Sequence, residues 1–258
     1  TQYLTEAMRL GAYDYLEKPF QVREVVETVQ AAADESSDRM NLMLRAARAI
    51  ESERNLRRSA IESIRALVRA VEAKDPYTRR HSEQVAHYAV HLARYLKLPN
   101  GQVESIRTAS LMHDIGKIGV PDSVLTKPGP LTDDEFRLIR QHPVLGAEIL
   151  QNISVFSDEA RLVRHHHESY DGRGYPDGLA AEEIPLGARV INVADSMDAM
   201  LMNRTYKMAY SLDATLDELR RCAAKQFDPR IAAGAVQWCR EHPDLVITPE
   251  NENAVLCA

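Results

Sequence analysis

The longest regular pattern of hydrophobic positions in this chain is helical. From Val22 to about Glu72 the sequence contains neither proline nor glycine. Within it, one series of positions three and four apart is apolar at eight of ten places: Met40, Met43, Ala47, Ile50, Arg54, Arg57, Ile61, Ile64, Val68 and Val71. A heptad seam interrupted by two arginines predicts a long, coiled-coil-like helix that pairs with a second copy in a homodimer. The alternative is one long helix folded back on its own domain.

Beyond Glu72 the chain is divided into helices by proline, glycine and capping residues. Thr132 with Glu135 forms a capping box, and Pro143 is expected to kink or divide the helix that follows. The predicted helix starts are Asp75-Pro76, Gln102, Thr132, Ser157, Pro185, Ser211 and Asp228-Pro229. No stretch alternates between apolar and polar residues as strands do. The predicted fold class of this part is therefore all-α.

The first residues carry a different pattern. AMRLGAYDYLEKPF, residues 7–20, is typical of the end of a helix, a cap at Gly11, a short strand and a turn. The segment resembles the last quarter of a response-regulator receiver domain, with Lys18-Pro19 matching that family's lysine and the proline after it. The resemblance implies a short α/β receiver remnant, whose missing part would accept phosphate from an upstream histidine kinase. An ordinary strand and turn is the alternative.

Composition narrows the range of partners. The formal net charge of −6 argues against broad binding to DNA or to an anionic membrane, because both need a positive field. Any phosphate that the protein binds should therefore meet a local cluster of positive charge. Cys222, Cys239 and Cys257 lack C-x-x-C spacing and suit a reducing compartment. No apolar run reaches the roughly 18 residues of a membrane span, so a cytoplasmic protein is predicted.

Two adjacent residues, His113 and Asp114, are the first candidates for chemistry. Neighbours on a helix point about 100° apart, so the pair can serve two metals that share a site, with the carboxylate bridging them. Taken alone, each such residue is more often structural. A metal site becomes a stronger interpretation because further candidate ligands occur at helical positions: His81, His142, His166, His167 and Asp195. Imidazole and carboxylate suit iron, manganese or zinc, so a metal site is predicted.

Three motifs carry a resemblance to a known family. HDIGK (113–117), HHESYDGRGYP (166–176) and VADSMDA (193–199) resemble the HD-GYP family, the branch of the HD phosphohydrolases that hydrolyses cyclic di-GMP. The resemblance extends from about Asp75 to Tyr210 and implies an HD-type helical bundle. The predicted domains are a receiver remnant over 1–33, a helical linker or coiled coil over 34–72 and an HD-GYP phosphodiesterase domain over 73–258.

The resemblance also implies a set of metal ligands. They are His81, His113, Asp114, His142, His166, His167 and Asp195, with Asp114 as the bridge. A water between two metals would attack the phosphorus, and Lys117 would neutralise the phosphate or assist the leaving oxygen, unless it is only a solvated lysine. Some members hold a third metal through a carboxylate four residues before the first histidine, where Tyr77 stands here. Two divalent ions are therefore predicted, with iron or manganese favoured and zinc or nickel as alternatives.

The glycine-rich loop after the histidines is expected to receive the substrate. Its glycines permit sharp turns, and Tyr175 offers a ring for a guanine or ribose. The alternative is that Tyr175 and Pro176 only pack the loop against its own domain. Glu168 is expected to orient His167.

Further substrate contacts are expected after the last motif. Arg204 and Lys207 match family positions that bind the substrate phosphates, and Asp198 is expected to bond a guanine. For each of them an ordinary surface charge is the alternative.

The predicted activity is hydrolysis of cyclic di-GMP to pGpG within a two-component response regulator, and whether hydrolysis continues to GMP stays open. Two alternatives remain: a non-catalytic domain that binds cyclic di-GMP or acts as a scaffold, and a phosphodiesterase for another cyclic dinucleotide such as cyclic GMP-AMP.

Overall fold

The computed structural model describes residues 2–16, 18–19, 21–73, 80–203, 208–249, 251 and 255–256. Within these ranges the regular structure is helical, with two isolated β-bridges and no strand. The all-α fold class predicted from the sequence is therefore confirmed. The chain forms two compact units, Thr1–Ser59 and Ala60–Ala258. Among the described helices, none combines the length and the hydrophobicity needed to cross a membrane.

The first unit contains α1 (Gln2–Arg9) and the N-terminal part of α2 (Val22–Glu72). Gly11, with a φ of 99°, follows the end of α1, where a glycine adopts the left-handed backbone at little cost. The short strand predicted after Gly11 is not found, since residues 12–16 have no regular structure. A strand needs partners to satisfy its backbone groups, and the described residues of this unit offer none. The receiver remnant stays a prediction.

The hydrophobic seam of α2 divides into an exposed and a buried part. Met40, Met43 and Ile50 are 59%, 62% and 52% exposed. In contrast, Ile64 and Val68 are buried in the core of the second unit. The last turns of α2 therefore pack on their own domain, which was the alternative to pairing with a second copy. The second unit accordingly starts at residue 60, earlier than the predicted domain start at 73.

The second unit is a bundle of helices around one core. Its helices are α3 (His81–Tyr95), α4 (Asn100–Met112), α5 (Asp122–Leu125), α6 (Asp133–Ile139), α7 (His142–Gln151), α8 (Ser157–His165), α9 (Leu186–Leu201), α10 (Leu212–Arg221) and α11 (Pro229–Glu241). Helix α3 packs against α4 and α9, and α7 packs against α8. Tyr88, Leu92, Ile191 and Met197 are fully buried between them. These packed pairs fix the ends of several helices at one junction.

Several helix ends follow the sequence signals. The Thr132 hydroxyl accepts a hydrogen bond from the backbone N–H of Glu135, and the Glu135 carboxylate accepts one from the backbone N–H of Thr132. This confirms the predicted capping box. Pro143 lies in the first turn of α7 and separates it from α6, as a proline with no N–H to donate should. The helix start predicted at Asp75-Pro76 lies outside the described residues.

Candidate metal centre

Four of the predicted ligands lie at or next to helix ends, and a fifth lies within a helix. His81 is the first residue of α3, His142 is the first of α7, and His113 follows the last residue of α4. His166 follows α8, and Asp195 lies on α9. Side chains at helix ends interrupt no apolar stripe along the helix. The core can therefore close around a polar cluster at the junction.

Two groups of three side chains place their ligand atoms close together. Within each group, one ligand atom from every residue lies within 4.8 Å of the others. The groups are His81, His113 and Asp114, and His142, His166 and His167. The Nε2 atoms of His142 and His166 are 3.4 Å apart, and Oδ1 of Asp195 lies 3.3 Å from Nε2 of His81. The fold thus gathers all seven residues that the sequence suggested.

Asp114 belongs to the first group and also contacts the second. Its Oδ1 is 3.4 Å from Nε2 of His142, whereas its Oδ2 is 3.5 Å from Nε2 of His113 and 3.8 Å from Nε2 of His81. Each oxygen therefore faces a different group. The Nζ atom of Lys117 donates to Oδ2 at 2.6 Å and offsets part of the negative charge. A carboxylate in this position can serve two cations that share a site.

Three of the histidines are held by the helical turn that precedes them. The Nδ1 atoms bond carbonyl oxygens three residues earlier: His113 to Ser110 (2.7 Å), His142 to Ile139 (2.7 Å) and His166 to Val163 (2.6 Å). Because a carbonyl oxygen only accepts, each Nδ1 must donate. Its proton leaves the lone pair of Nε2 free. Those Nε2 atoms lie at the cluster, where they can bind a cation.

Burial sets the charge of these groups. Loss of solvation lowers the pKa of His142 to about 4 and that of His167 to about 3, and it holds the pKa of His166 well below its usual value. Burial alone would raise the pKa of Asp114, but Lys117 and the neighbouring imidazoles hold it well below its usual value. At His81 burial alone would lower the pKa, but Asp198 and Asp195 raise it to about 10. The neutral imidazoles of His142, His166 and His167 and the ionised carboxylate of Asp114 are the forms that bind divalent cations. The residues present therefore fit a metal centre.

Gly116 allows Asp114 to approach His142. It lies in the 3-10 turn Ile115–Gly119 that follows Asp114. A Cβ atom at Gly116 would come within 1.9 Å of the carbonyl oxygen of His142 and within 2.5 Å of the backbone nitrogen of Gly146. Only glycine fits so close to backbone atoms. The glycine of HDIGK thus has a packing reason that the sequence alone did not show.

The loop after His167 is fixed by Glu168. The buried Glu168 carboxylate accepts the backbone N–H groups of Asp177 at 2.7 Å and Gly178 at 3.1 Å. A Cβ atom at Gly174 would lie 2.4 Å from Cα of Glu168, so the loop needs a glycine there. The prediction that Glu168 orients His167 is wrong. One carboxylate oxygen binds the loop, and the other has no hydrogen-bond partner in the described part of the chain.

An aromatic ring and a guanidinium lie beside the cluster. The Tyr175 ring stacks on the His167 ring with centroids 5.0 Å apart. The Cζ atom of Arg140 lies 5.0 Å from the Tyr175 ring centroid and 4.6 Å from that of Phe136. The Arg140 guanidinium forms no salt bridge with a carboxylate of the described residues. Sequence analysis missed Arg140, because no motif marks it and only the fold brings it to the loop.

Asp198, which was expected to bond a guanine, is buried against His81. It is 3% exposed, and its Oδ2 is 2.6 Å from Nδ1 of His81. A carboxylate so buried and already bonded does not face a guanine, so the structure contradicts that prediction. Arg204, Lys207 and Tyr77 lie outside the described residues, and their roles stay predictions.

The fold and the cluster agree with a comparison to known families. Residues 65–231, more than half of the chain, match a family model described as HD domain. This chain belongs to the HD domain family. The match confirms the HD phosphohydrolase resemblance drawn from HDIGK and the later motifs. The matched region starts within α2, as the second compact unit does.

This chain is similar to curated proteins. It is 38% identical over 230 residues to "Cyclic di-GMP phosphodiesterase response regulator RpfG" of Xanthomonas campestris pv. campestris. The aligned residues cover 87% of this chain and 61% of that protein. It is also 38% identical over 181 residues to "3'3'-cGAMP-specific phosphodiesterase 3" of Vibrio cholerae. This alignment covers 70% of this chain and 39% of that protein. The chain therefore spans less than two thirds of either relative.

A solved structure shares the fold. The crystal structure of a cyclic GMP-AMP specific phosphodiesterase of V. cholerae (V-cGAP3) superposes with a TM-score of 0.58 and 17% sequence identity, covering 76% of this chain and 53% of that one. At this identity the likeness shows the fold alone, which is the HD-type helical bundle.

Proposed function

We propose that this chain is a metal-dependent phosphodiesterase that hydrolyses cyclic di-GMP to pGpG. The observation that carries the proposal is that the two oxygens of Asp114 face histidines of different groups. A carboxylate shared by two cations is an arrangement suited to displacement at phosphorus. The relative named a cyclic di-GMP phosphodiesterase response regulator supports the choice of substrate.

The proposed metal ligands are the seven converging side chains: His81, His113, Asp114, His142, His166, His167 and Asp195. When bound, two divalent ions supply Lewis-acid activation of the phosphate and of the attacking water. Mixed imidazole and carboxylate ligands suit iron or manganese, with zinc or nickel as alternatives.

Positive side chains would bind the anionic substrate and stabilise the charge that develops at phosphorus. Lys117 lies against Asp114 and keeps 24% of its side chain exposed, so its ammonium can reach a phosphate oxygen or the leaving oxygen. Arg140 adds a second cation on the Tyr175 side of the cluster. A planar guanidinium forms two parallel hydrogen bonds to a phosphate where a lysine cannot. Arg204 and Lys207 are further proposed phosphate ligands, supported by the motif alone.

The loop of Tyr175 would place the nucleotide against the cluster. Its backbone is held by Glu168 before any ligand binds. A loop that is already ordered pays less conformational entropy on binding. Tyr175 would contact the guanine or ribose with the part of its ring that His167 leaves uncovered.

Product analysis tests the proposed activity. Protein reconstituted anaerobically with iron or manganese is incubated with cyclic di-GMP, and the products are separated by chromatography. We expect pGpG from the wild type and wild-type turnover from Asp217→Asn, a control whose side chain is 75% exposed on α10. Accumulation of GMP would show that hydrolysis continues. No product from metal-loaded protein would contradict the proposal and favour the binding or scaffold alternative.

A second candidate substrate is 3'3'-cyclic GMP-AMP. The observation that favours it is the relative named a 3'3'-cGAMP-specific phosphodiesterase, which is as identical to this chain as the cyclic di-GMP relative is. Measuring kcat/KM for both dinucleotides on the same preparation decides between them.

We propose a homodimer formed through the exposed part of α2. Met40, Met43 and Ile50 form one heptad series and are more than half exposed in a single chain. Pairing with a second copy would remove this apolar surface from water. The buried part of the seam, from Ile64 onward, is already used by the domain and would not take part.

We propose that the HD domain works in the cytoplasm as the output of a response regulator. The resemblance of Lys18-Pro19 and its surroundings to a receiver domain supports this, as does the response-regulator name of the 38% identical relative. An upstream histidine kinase would then be the partner that phosphorylates the receiver. Comparing turnover with and without phosphorylation of a chain that carries a complete receiver tests the proposal.

A further inference from the structure

The cluster holds His81 in a different way from the other helix-bound histidines. Three of them donate from Nδ1 to the backbone carbonyl three residues earlier. His81 is the first residue of α3, and the preceding residue, Arg80, has a left-handed backbone with a φ of 64°. The residues directly before Arg80 lie outside the described part of the chain. The Nδ1 atom of His81 lies instead 2.6 Å from Oδ2 of Asp198.

Two carboxylates one turn apart on α9 contact opposite ends of the His81 ring. Residues three apart lie on the same face of a helix, so Asp195 and Asp198 both point towards α3. Oδ1 of Asp195 is 3.3 Å from Nε2 of His81, and Oδ2 of Asp198 is 2.6 Å from Nδ1. The ring is thus fixed at both nitrogens by one helix.

Apart from its contact with His81, the Asp198 carboxylate has no hydrogen bond to a described residue. It is 3% exposed, and its second oxygen, Oδ1, has no hydrogen-bond partner among the residues described. Burying a carboxylate with so few hydrogen bonds is unfavourable unless a strong partner compensates. His81 is that partner, because its Nδ1 atom lies 2.6 Å from the carboxylate.

We infer that Asp198 is the positioning residue for His81. Its carboxylate accepts the Nδ1 proton, directs Nε2 towards Asp114 and Asp195, and increases the basicity of Nε2 as a ligand, as outer carboxylates do for metal-binding histidines. Asp198 does for His81 what a backbone carbonyl does for His113, His142 and His166. This inference rests on the proposed metal centre and deepens it.

Metal affinity is the primary test, because it does not depend on turnover. Asp198→Asn keeps the shape of the side chain but removes its charge. We expect one of two manganese or zinc ions to bind about 10- to 100-fold more weakly in this variant, measured by competition with a chromophoric chelator. Asp217→Asn removes an exposed carboxylate from α10 and should bind both ions as the wild type does. Unchanged affinity in Asp198→Asn overturns the inference.

A double-variant cycle tests whether Asp198 acts through His81. The combination of His81→Ala with Asp198→Asn should lose no more affinity than His81→Ala alone, because the second change then has no ring to position. Additive losses overturn the inference. A raised KM for the dinucleotide with unchanged metal affinity also overturns it, and would assign Asp198 to the substrate.

A measurement on the wild type is independent of how the variants fold. Heteronuclear NMR of the histidine rings in zinc-loaded protein should show His81 protonated at Nδ1 and coordinated through Nε2. The reverse assignment overturns the inference. Wild-type protein that binds no metal overturns the proposed function and the inference with it, a result distinct from normal affinity in Asp198→Asn.

Discussion

Oδ1 of Asp114 lies 3.4 Å from Nε2 of His142, while Lys117 bonds the other oxygen of the same carboxylate. The carboxylate is therefore the connection between the two histidine groups. Asp114→Ala removes this connection and should lower kcat by more than about 100-fold, the scale of deleting one electrostatic contact to a transition state. Steady-state kinetics on metal-reconstituted protein measures it. Undiminished turnover would show that the proposed mechanism is wrong.

Metal removal should abolish hydrolysis, and the metal count should be two. Chelation followed by dialysis is expected to stop turnover, and adding back manganese or iron should restore it. The HD-GYP resemblance implies a carboxylate in some members at the position of Tyr77, and a phenol is a poor ligand at neutral pH. Elemental analysis should therefore find two ions per chain at full occupancy. Three ions per chain would contradict the prediction.

Arg140→Ala should weaken substrate binding more than it slows chemistry. The guanidinium lies over the Tyr175 ring without a carboxylate partner in the described part of the protein. Losing one charge-assisted hydrogen bond of about 1.5 kcal/mol should raise KM about tenfold. Arg137→Ala is the matched control, because Arg137 lies one turn earlier, is 73% exposed and pairs with Asp134. Equal KM values for the two variants would remove Arg140 from the substrate site.

Met43→Glu should disrupt the homodimer. Met43 is 62% exposed and lies in the heptad series, so the charge would be buried between two copies of α2. Leu42→Glu is the matched control, since Leu42 is 69% exposed on the same helix but outside the series. Sedimentation velocity should show monomers for the first variant and dimers for the second. A monomeric wild type would count against the proposed dimer.

Stability should fall between neutral pH and pH 5 because of His91, whose ring stacks on that of Trp238. Burial, with the charges of His87 and Arg94, lowers the pKa of His91 from 6.5 to about 4. The unfolded chain takes up a proton near pH 6.5 while the folded protein resists until about pH 4, so stability is lost as the pH falls through this window.

At pH 5 the loss should be about 1 kcal/mol, after allowance for the partial exposure of the His91 ring. Urea unfolding at pH 7 and pH 5 measures it. The fall should be smaller in His91→Gln, because that side chain does not titrate. An equal fall in both proteins would assign the pH dependence to other groups.

Local signals predicted the helices of this chain and the identity of its candidate ligands. The capping box of Thr132 and Glu135 and the break at Pro143 were legible because caps and prolines act on the backbone within a few residues. His81, Asp114 and Asp195 were identified because the motifs around them resemble those of the HD-GYP family. Caps and prolines depend on local free energy, and motifs are continuous in sequence, so both can be recognised along the chain.

Tertiary packing alone decided what each polar side chain meets. Asp198 was expected at a guanine and lies on His81, 117 residues earlier in the chain. Glu168 was expected at its neighbour His167 and binds the loop instead, and Arg140 reaches Tyr175 although no motif relates them. A carboxylate or a guanidinium can form hydrogen bonds and ion pairs with many different partners. Which partner it finds depends on how helices distant in sequence cross in the bundle, and no local pattern encodes that.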